Sequence, residues 1–122
     1  MIEITERNFD REVLECELAV FACFTTEWCA SCYPTCLFAN QLVKEYDGRI
    51  KFVRLDTEKN PEIAERYHVI AVPTIFLFQK SQEAKRLLGF QDRRSLRALL
   101  NSVTNESDKL PGRRLETNEA QG

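Results

Sequence analysis

The sequence predicts an α/β domain in which a central sheet is flanked by helices. Three observations lead there. Residues 18–24 and 75–78 form short, almost continuously apolar runs, which read as strands buried on both faces and so in need of cover on both. Stretches with helical spacing of apolar residues alternate with the strand-like runs, giving the order β-α-β-α-β-α-β-β-α. The 122 residues fit one domain, large enough to bury a sizeable core without metals or disulfide staples.

Taken in order, Ile2, Glu3 and Ile4 alternate as a short edge strand does. Asn8 or Asp10 is placed to cap a helix running to about Glu17, with Phe9, Val13, Leu14 and Cys16 as its apolar side. Residues 18–24 form the central strand. A second helix starts at Cys29 or Ser31 and carries Leu37, Leu42, Val43 and Tyr46 at helical spacing; Asp47 and Gly48 mark its exit. Pro34 near its start is tolerated because first-turn N–H groups lack helical partners in any case. Residues 50–55 are the next strand. Asn60 as cap and Pro61 as first helical residue open a short helix through Tyr67. A strand at residues 75–78, a polar turn at 79–82 and a strand at 84–88 ended by Gly89 follow. Asp92 then caps a final helix that buries Leu96, Leu99, Leu100 and Val103. The domain spans residues 1–103; residues 104–122, polar and containing Pro111 and Gly112, are expected to form a flexible tail or a weak helix.

Composition narrows the function classes. Apolar residues make up 43% and charged residues 30%, as in a soluble globular protein. A formal net charge of -2 points neither to nucleic acid nor to an anionic membrane as partner. The apolar runs are too short to cross a bilayer, and the acidic, mixed first residues do not resemble a signal peptide, so a cytoplasmic location and no membrane partner are expected. The five cysteines, Cys16, Cys23, Cys29, Cys32 and Cys36, are odd in number and clustered. A disulfide framework is normally even and spread out, so the cluster points to redox chemistry or metal binding.

Cys29 and Cys32 stand where a predicted strand gives way to a predicted helix. The loop leaves the first sulfur accessible, and the helix start offers unpaired N–H groups and the positive end of its dipole, which favour a thiolate at Cys29. An ordinary thiol, with a pKa of about 8.5, is only a few per cent ionised at neutral pH; lowering it to about 7 makes it half ionised, for about 2 kcal/mol of differential stabilisation. Cys32, one turn further in, is suited to attack a mixed disulfide formed at Cys29. The chemistry implied is two successive thiol–disulfide exchanges.

From about Ile2 to Val103 the chain resembles the thioredoxin family. The resemblance is carried by Trp28-Cys29-Ala30-Ser31-Cys32 after a strand, by Asn60-Pro61, by Val72-Pro73-Thr74 before a strand, and by Gly89 before the last helix. It implies the thioredoxin fold, with a central mixed sheet flanked by helices, and an oxidoreductase that reduces protein disulfides, with Cys29 as nucleophile and Cys32 as resolving thiol. Pro73 would follow a cis bond and face the dithiol, the backbone of Ala71 and Val72 would pair with an extended substrate segment, and Trp28 would belong to the docking surface. No bound cofactor or metal is implied. A thioredoxin-reductase-like enzyme or another dithiol donor would recycle a monomeric protein that carries electrons in cellular redox homeostasis.

The chain departs from the family pattern in several places. Ala30-Ser31 replaces the usual Gly-Pro between the cysteines, returning a backbone N–H to the helix start. Cys23 stands where the family has a buried aspartate, and Arg54 where it has a nearby lysine. Cys23 is either an inert buried thiol or a participant in proton transfer; Glu27 is either a solvated carboxylate or an aid to the same step. Cys36 shares a helix face with Cys32. It stands about 10 Å along the axis from Cys29, so bonding those two would unravel the helix start, and a Cys32–Cys36 bond would be strained. Cys36 is therefore read as packing, as an auxiliary redox thiol, or as a metal ligand. Two alternatives to a general disulfide reductase stay open. One is a dedicated redox sensor or electron donor using Cys36 as an additional thiol. The other is a metal-binding or protein-interaction module in which Cys29, Cys32 and Cys36 supply three thiolates.

Overall fold

Alternation of side chains along the strands sends apolar residues to both faces of one sheet, and helices cover each face. A computed structural model describes residues 1–108, with side chains through residue 103. In chain order it contains β1 (Ile2–Ile4), a π-helical turn (Asp10–Leu14), β2 (Ala19–Thr25), α1 (Cys32–Leu42) continued by a 3-10 turn (Val43–Tyr46), β3 (Ile50–Asp56), α2 (Pro61–Arg66), β4 (Thr74–Gln79), β5 (Gln82–Leu88) and α3 (Arg93–Asp108). The strands form one sheet in the order β1-β3-β2-β4-β5. β2 pairs in parallel with β3 and antiparallel with β4, so the sheet is mixed.

The central strand β2 shows how the two faces are filled. Phe21 and Cys23 point to one side, among Ile75, Leu77, Ala39 and Leu42 and the α3 residues Leu96, Leu99, Leu100 and Val103. Val20, Ala22 and Phe24 point to the other, among Phe9, Val13, Ile63, Phe76 and Phe78. This is the period-2 alternation of a strand with no solvent face.

Several local expectations change. The first helix shrinks to the π-helical turn, closed by Glu15 N–H to the Asp10 carbonyl at 2.9 Å. Phe9 and Val13 anchor it in the core, but Glu15 and Glu17 beyond it are disfavoured at a helix C-terminus. Leu18 lies outside the central strand and is half-exposed. Asn60 precedes α2 without capping it through its side chain. Its buried amide instead donates to the Asp56 carbonyl and accepts from Glu6 N–H, each at 2.9 Å, joining the loop after β3 to the segment after β1. The final hairpin turns on two residues only, Lys80 and Ser81, both at positive φ (53° and 69°), as the twist of a two-residue hairpin requires. Ser81 Oγ donates to the Leu14 carbonyl and ties that turn to the π-helical one. Asp92 caps α3 as expected, accepting from Ser95 N–H at 2.9 Å. That helix continues to Asp108, past the residue at which the tail was expected to begin, and residues 109–122 of the expected tail lie outside the described residues.

Candidate active site

β2 ends at Thr25 in the middle of the sheet, and a six-residue loop leads from it to α1, whose first residue is Cys32. The loop carries Trp28, which is 81% exposed, and Cys29, which is half-buried. Cys32 is only 4% exposed. The two cysteines are joined by a disulfide, with their Cα atoms 5.3 Å apart. The backbone N–H of Cys32 points at the Cys29 sulfur at 3.0 Å and at the Cys29 carbonyl at 3.2 Å. Ser31 Oγ lies 3.6 Å from the same sulfur. An electron-rich sulfur at position 29 therefore has a donor already aimed at it, at the positive end of a helix.

The helix start is held from below by Thr35. This fully buried residue donates its hydroxyl to the Ser31 carbonyl at 3.0 Å and accepts from Gln91 N–H at 3.1 Å, linking the dithiol turn to the loop before α3. Thr35→Val keeps the shape and removes both bonds, leaving two part-buried backbone groups without these partners. A loss of about 1–3 kcal/mol is expected, read as a lower urea midpoint at unchanged m-value. A midpoint equal to wild type would mean that neither bond matters.

The Val72–Pro73 peptide bond is cis. β4 begins one residue later, and Thr74 pairs with Phe24 across the antiparallel register. Pro73 thus lies at the same end of the sheet as the cysteine loop. Its carbonyl accepts from Gly89 N–H at 2.8 Å, and the Ala71 carbonyl accepts from the Thr74 hydroxyl at 2.7 Å. The N–H and C=O of Val72 make no hydrogen bond among the described residues. Ile70, just before this segment, is 91% exposed.

The remaining singled-out residues separate into surface and core. Glu27 is exposed and pairs with Lys59 at 2.9 Å; Arg54 is exposed and pairs with Glu3 at 3.1 Å. Cys16 is half-buried against the core on the far side of the sheet. Cys36 makes neither of the two contacts weighed from its helical spacing. Its sulfur lies 3.3 Å from that of Cys23, because α1 packs across β2 and brings the inward face of the helix onto the inward face of the strand. Sequence reasoning missed this pair. The signal was there in Cys23 alternating with Phe21 on the strand side that receives the helix. The hydrogen bond between the thiols polarises them: it pulls Cys36 below the usual thiol range, helped by the Arg54 charge, while that bond and burial hold Cys23 well above it. Among the described residues no group of three or more His, Cys, Asp or Glu is placed to hold a metal, so the three-thiolate alternative is not favoured. No helix among them is long and apolar enough to cross a membrane.

The sequence is similar to those of known proteins. The family model described as Thioredoxin matches residues 1–102. A thioredoxin of Rickettsia felis is 32% identical over 98 residues, which cover 80% of this chain and 93% of the relative. A thioredoxin of Rickettsia conorii is 30% identical over 98 residues, covering 80% and 93%, and thioredoxin 1 of a Nostoc species is 29% identical over 87 residues, covering 71% and 81%.

Proposed function

The chain belongs to the thioredoxin family and is a thiol–disulfide oxidoreductase, and from that premise we propose that Cys29 is its nucleophile and Cys32 its resolving thiol. The observation that carries this division of roles is the Cys32 N–H aimed at the Cys29 sulfur at 3.0 Å, with Cys29 half-open and Cys32 buried.

In the reduced protein the Cys29 thiolate attacks one sulfur of a substrate disulfide. The substrate S–S bond breaks, its other sulfur leaves as a thiolate and takes a proton, and a mixed disulfide joins substrate to Cys29. Cys32 then gives up its proton and attacks the Cys29 sulfur. The mixed bond breaks, the second substrate thiol departs, and the Cys29–Cys32 bond forms, the state seen in the structure. Two electrons have passed to the substrate, and a reductase or another dithiol donor restores them.

Substrates are protein disulfides presented on an extended segment. The unpaired N–H and C=O of Val72 offer that segment a strand-like partner, with Ala71 and Pro73 framing it and Trp28 supplying exposed apolar area. Recognition through backbone gives broad specificity. No step is assigned to Glu27 or Arg54, whose charges are paired on the surface. The protein is taken to work as a monomer in a reducing cytoplasm, where clustered free thiols persist.

The test is a trap. Cys32→Ser, reduced and mixed with a disulfide-containing protein, should accumulate a covalent adduct through Cys29 that a small dithiol dissolves, while wild type turns over without accumulating it. Absence of the adduct, or an adduct through another cysteine, would reverse the assignment.

A further inference from the structure

We propose that Cys23 and Cys36 are a second redox couple, distinct from the Cys29–Cys32 dithiol, which closes to a buried β2–α1 disulfide when a hydroperoxide reaches Cys36. The two sulfurs are 3.3 Å apart, against about 2.0 Å in a bond, so closure asks for little more than an ångström of approach. They belong to elements that already pack together. The pair is also asymmetric: Cys23 is fully buried, while Cys36 is only half-buried and so open to a small oxidant. The hydrogen bond between them favours the thiolate at Cys36, the member the oxidant can reach.

The step balances with a hydroperoxide as the oxidant. The Cys36 thiolate attacks the O–O bond, which breaks; Cys36 becomes a sulfenic acid and the remaining alkoxide or hydroxide takes a proton. The Cys23 sulfur then attacks the Cys36 sulfur, its proton leaves with the hydroxyl as water, and the S–S bond forms. Two thiols have lost two electrons, and the hydroperoxide has become an alcohol, or water, plus a second water.

Cleavage after glutamate separates the partners cleanly. Glu17 and Glu27 bracket Cys23 as the one cysteine of residues 18–27, while Cys29, Cys32 and Cys36 fall on the following peptide. In Cys29→Ser/Cys32→Ser protein treated with hydrogen peroxide, that 18–27 peptide should appear joined to the peptide carrying Cys36, with the intact chain lighter by two hydrogens. Adding Cys36→Ser should abolish the link. In wild type with the first disulfide already closed, the same treatment should remove two further hydrogens, so the result does not depend on the serine variants folding. Cys36 driven to a sulfinic acid with Cys23 still free, a link made instead by Cys16, or no loss of thiols at all would each overturn the proposal. None of these outcomes touches the roles of Cys29 and Cys32, which the trapping experiment tests separately.

Discussion

Cys29→Ser should reduce protein-disulfide turnover on the order of a thousandfold or more, to the rate of the small reductant alone. A serine hydroxyl is not ionised at neutral pH, so the first exchange loses its attacking anion. Nothing nearby replaces it. Cys32 is 4% exposed and sits under the loop, and the Cys36 sulfur is turned onto Cys23 in the core. The fold should hardly notice, since position 29 is half-exposed and in a loop. Turnover with a chemical reductant as electron source, followed beside circular dichroism, separates the two effects. A folded Cys29→Ser protein that still turned over substrate at wild-type rate would show that the nucleophile lies elsewhere.

The largest expected effect on stability lies across the sheet from the dithiol. Phe76, in β4, is fully buried. Its ring meets those of Phe24, Phe78 and Tyr67 at centroid distances of 4.7, 5.5 and 5.7 Å, and the Arg86 guanidinium lies 4.6 Å from its centroid. Phe76→Ala removes the ring from among these neighbours, and strands on either side hold the backbone so that the site cannot collapse. The expected cost is about 3–5 kcal/mol, a large part of the roughly 5–15 kcal/mol that stabilises a typical domain. Phe76→Leu, closer in volume, should cost much less. Urea unfolding measures both; a Phe76→Ala penalty below about 1 kcal/mol would mean that the cluster repacks freely.

What was legible in the sequence follows from the range of the interactions. Strands β2 and β4 could be read because burial on both faces leaves an apolar run that no local competitor imitates. The dithiol loop and the cap at Asp92 could be read because each depends on residues within three or four positions. The π-helical turn could not, because Phe9 and Val13 have helical spacing while Glu15 and Glu17 oppose a longer helix, and only tertiary packing decides where it stops. Asn60 looked like a cap because the residue type fits. Its amide is diverted by Glu6, more than fifty positions away, which no local pattern registers. The Cys23–Cys36 contact is of the same kind: helical spacing relates Cys36 to Cys32, but the docking of α1 on β2 determines what its sulfur touches.

The order of the strands has one more consequence. β1 and β5 form the two borders of the sheet. β1 has only three residues, and β5 presents exposed Glu83 and Lys85, with Arg86 paired to Glu83. An incoming strand would have to strip water from these charges, which makes each border a poor template for cross-β growth. The exposed side chains of Trp28 and Ile70 therefore sit on a molecule whose sheet borders do not invite its own copies to stack into fibres.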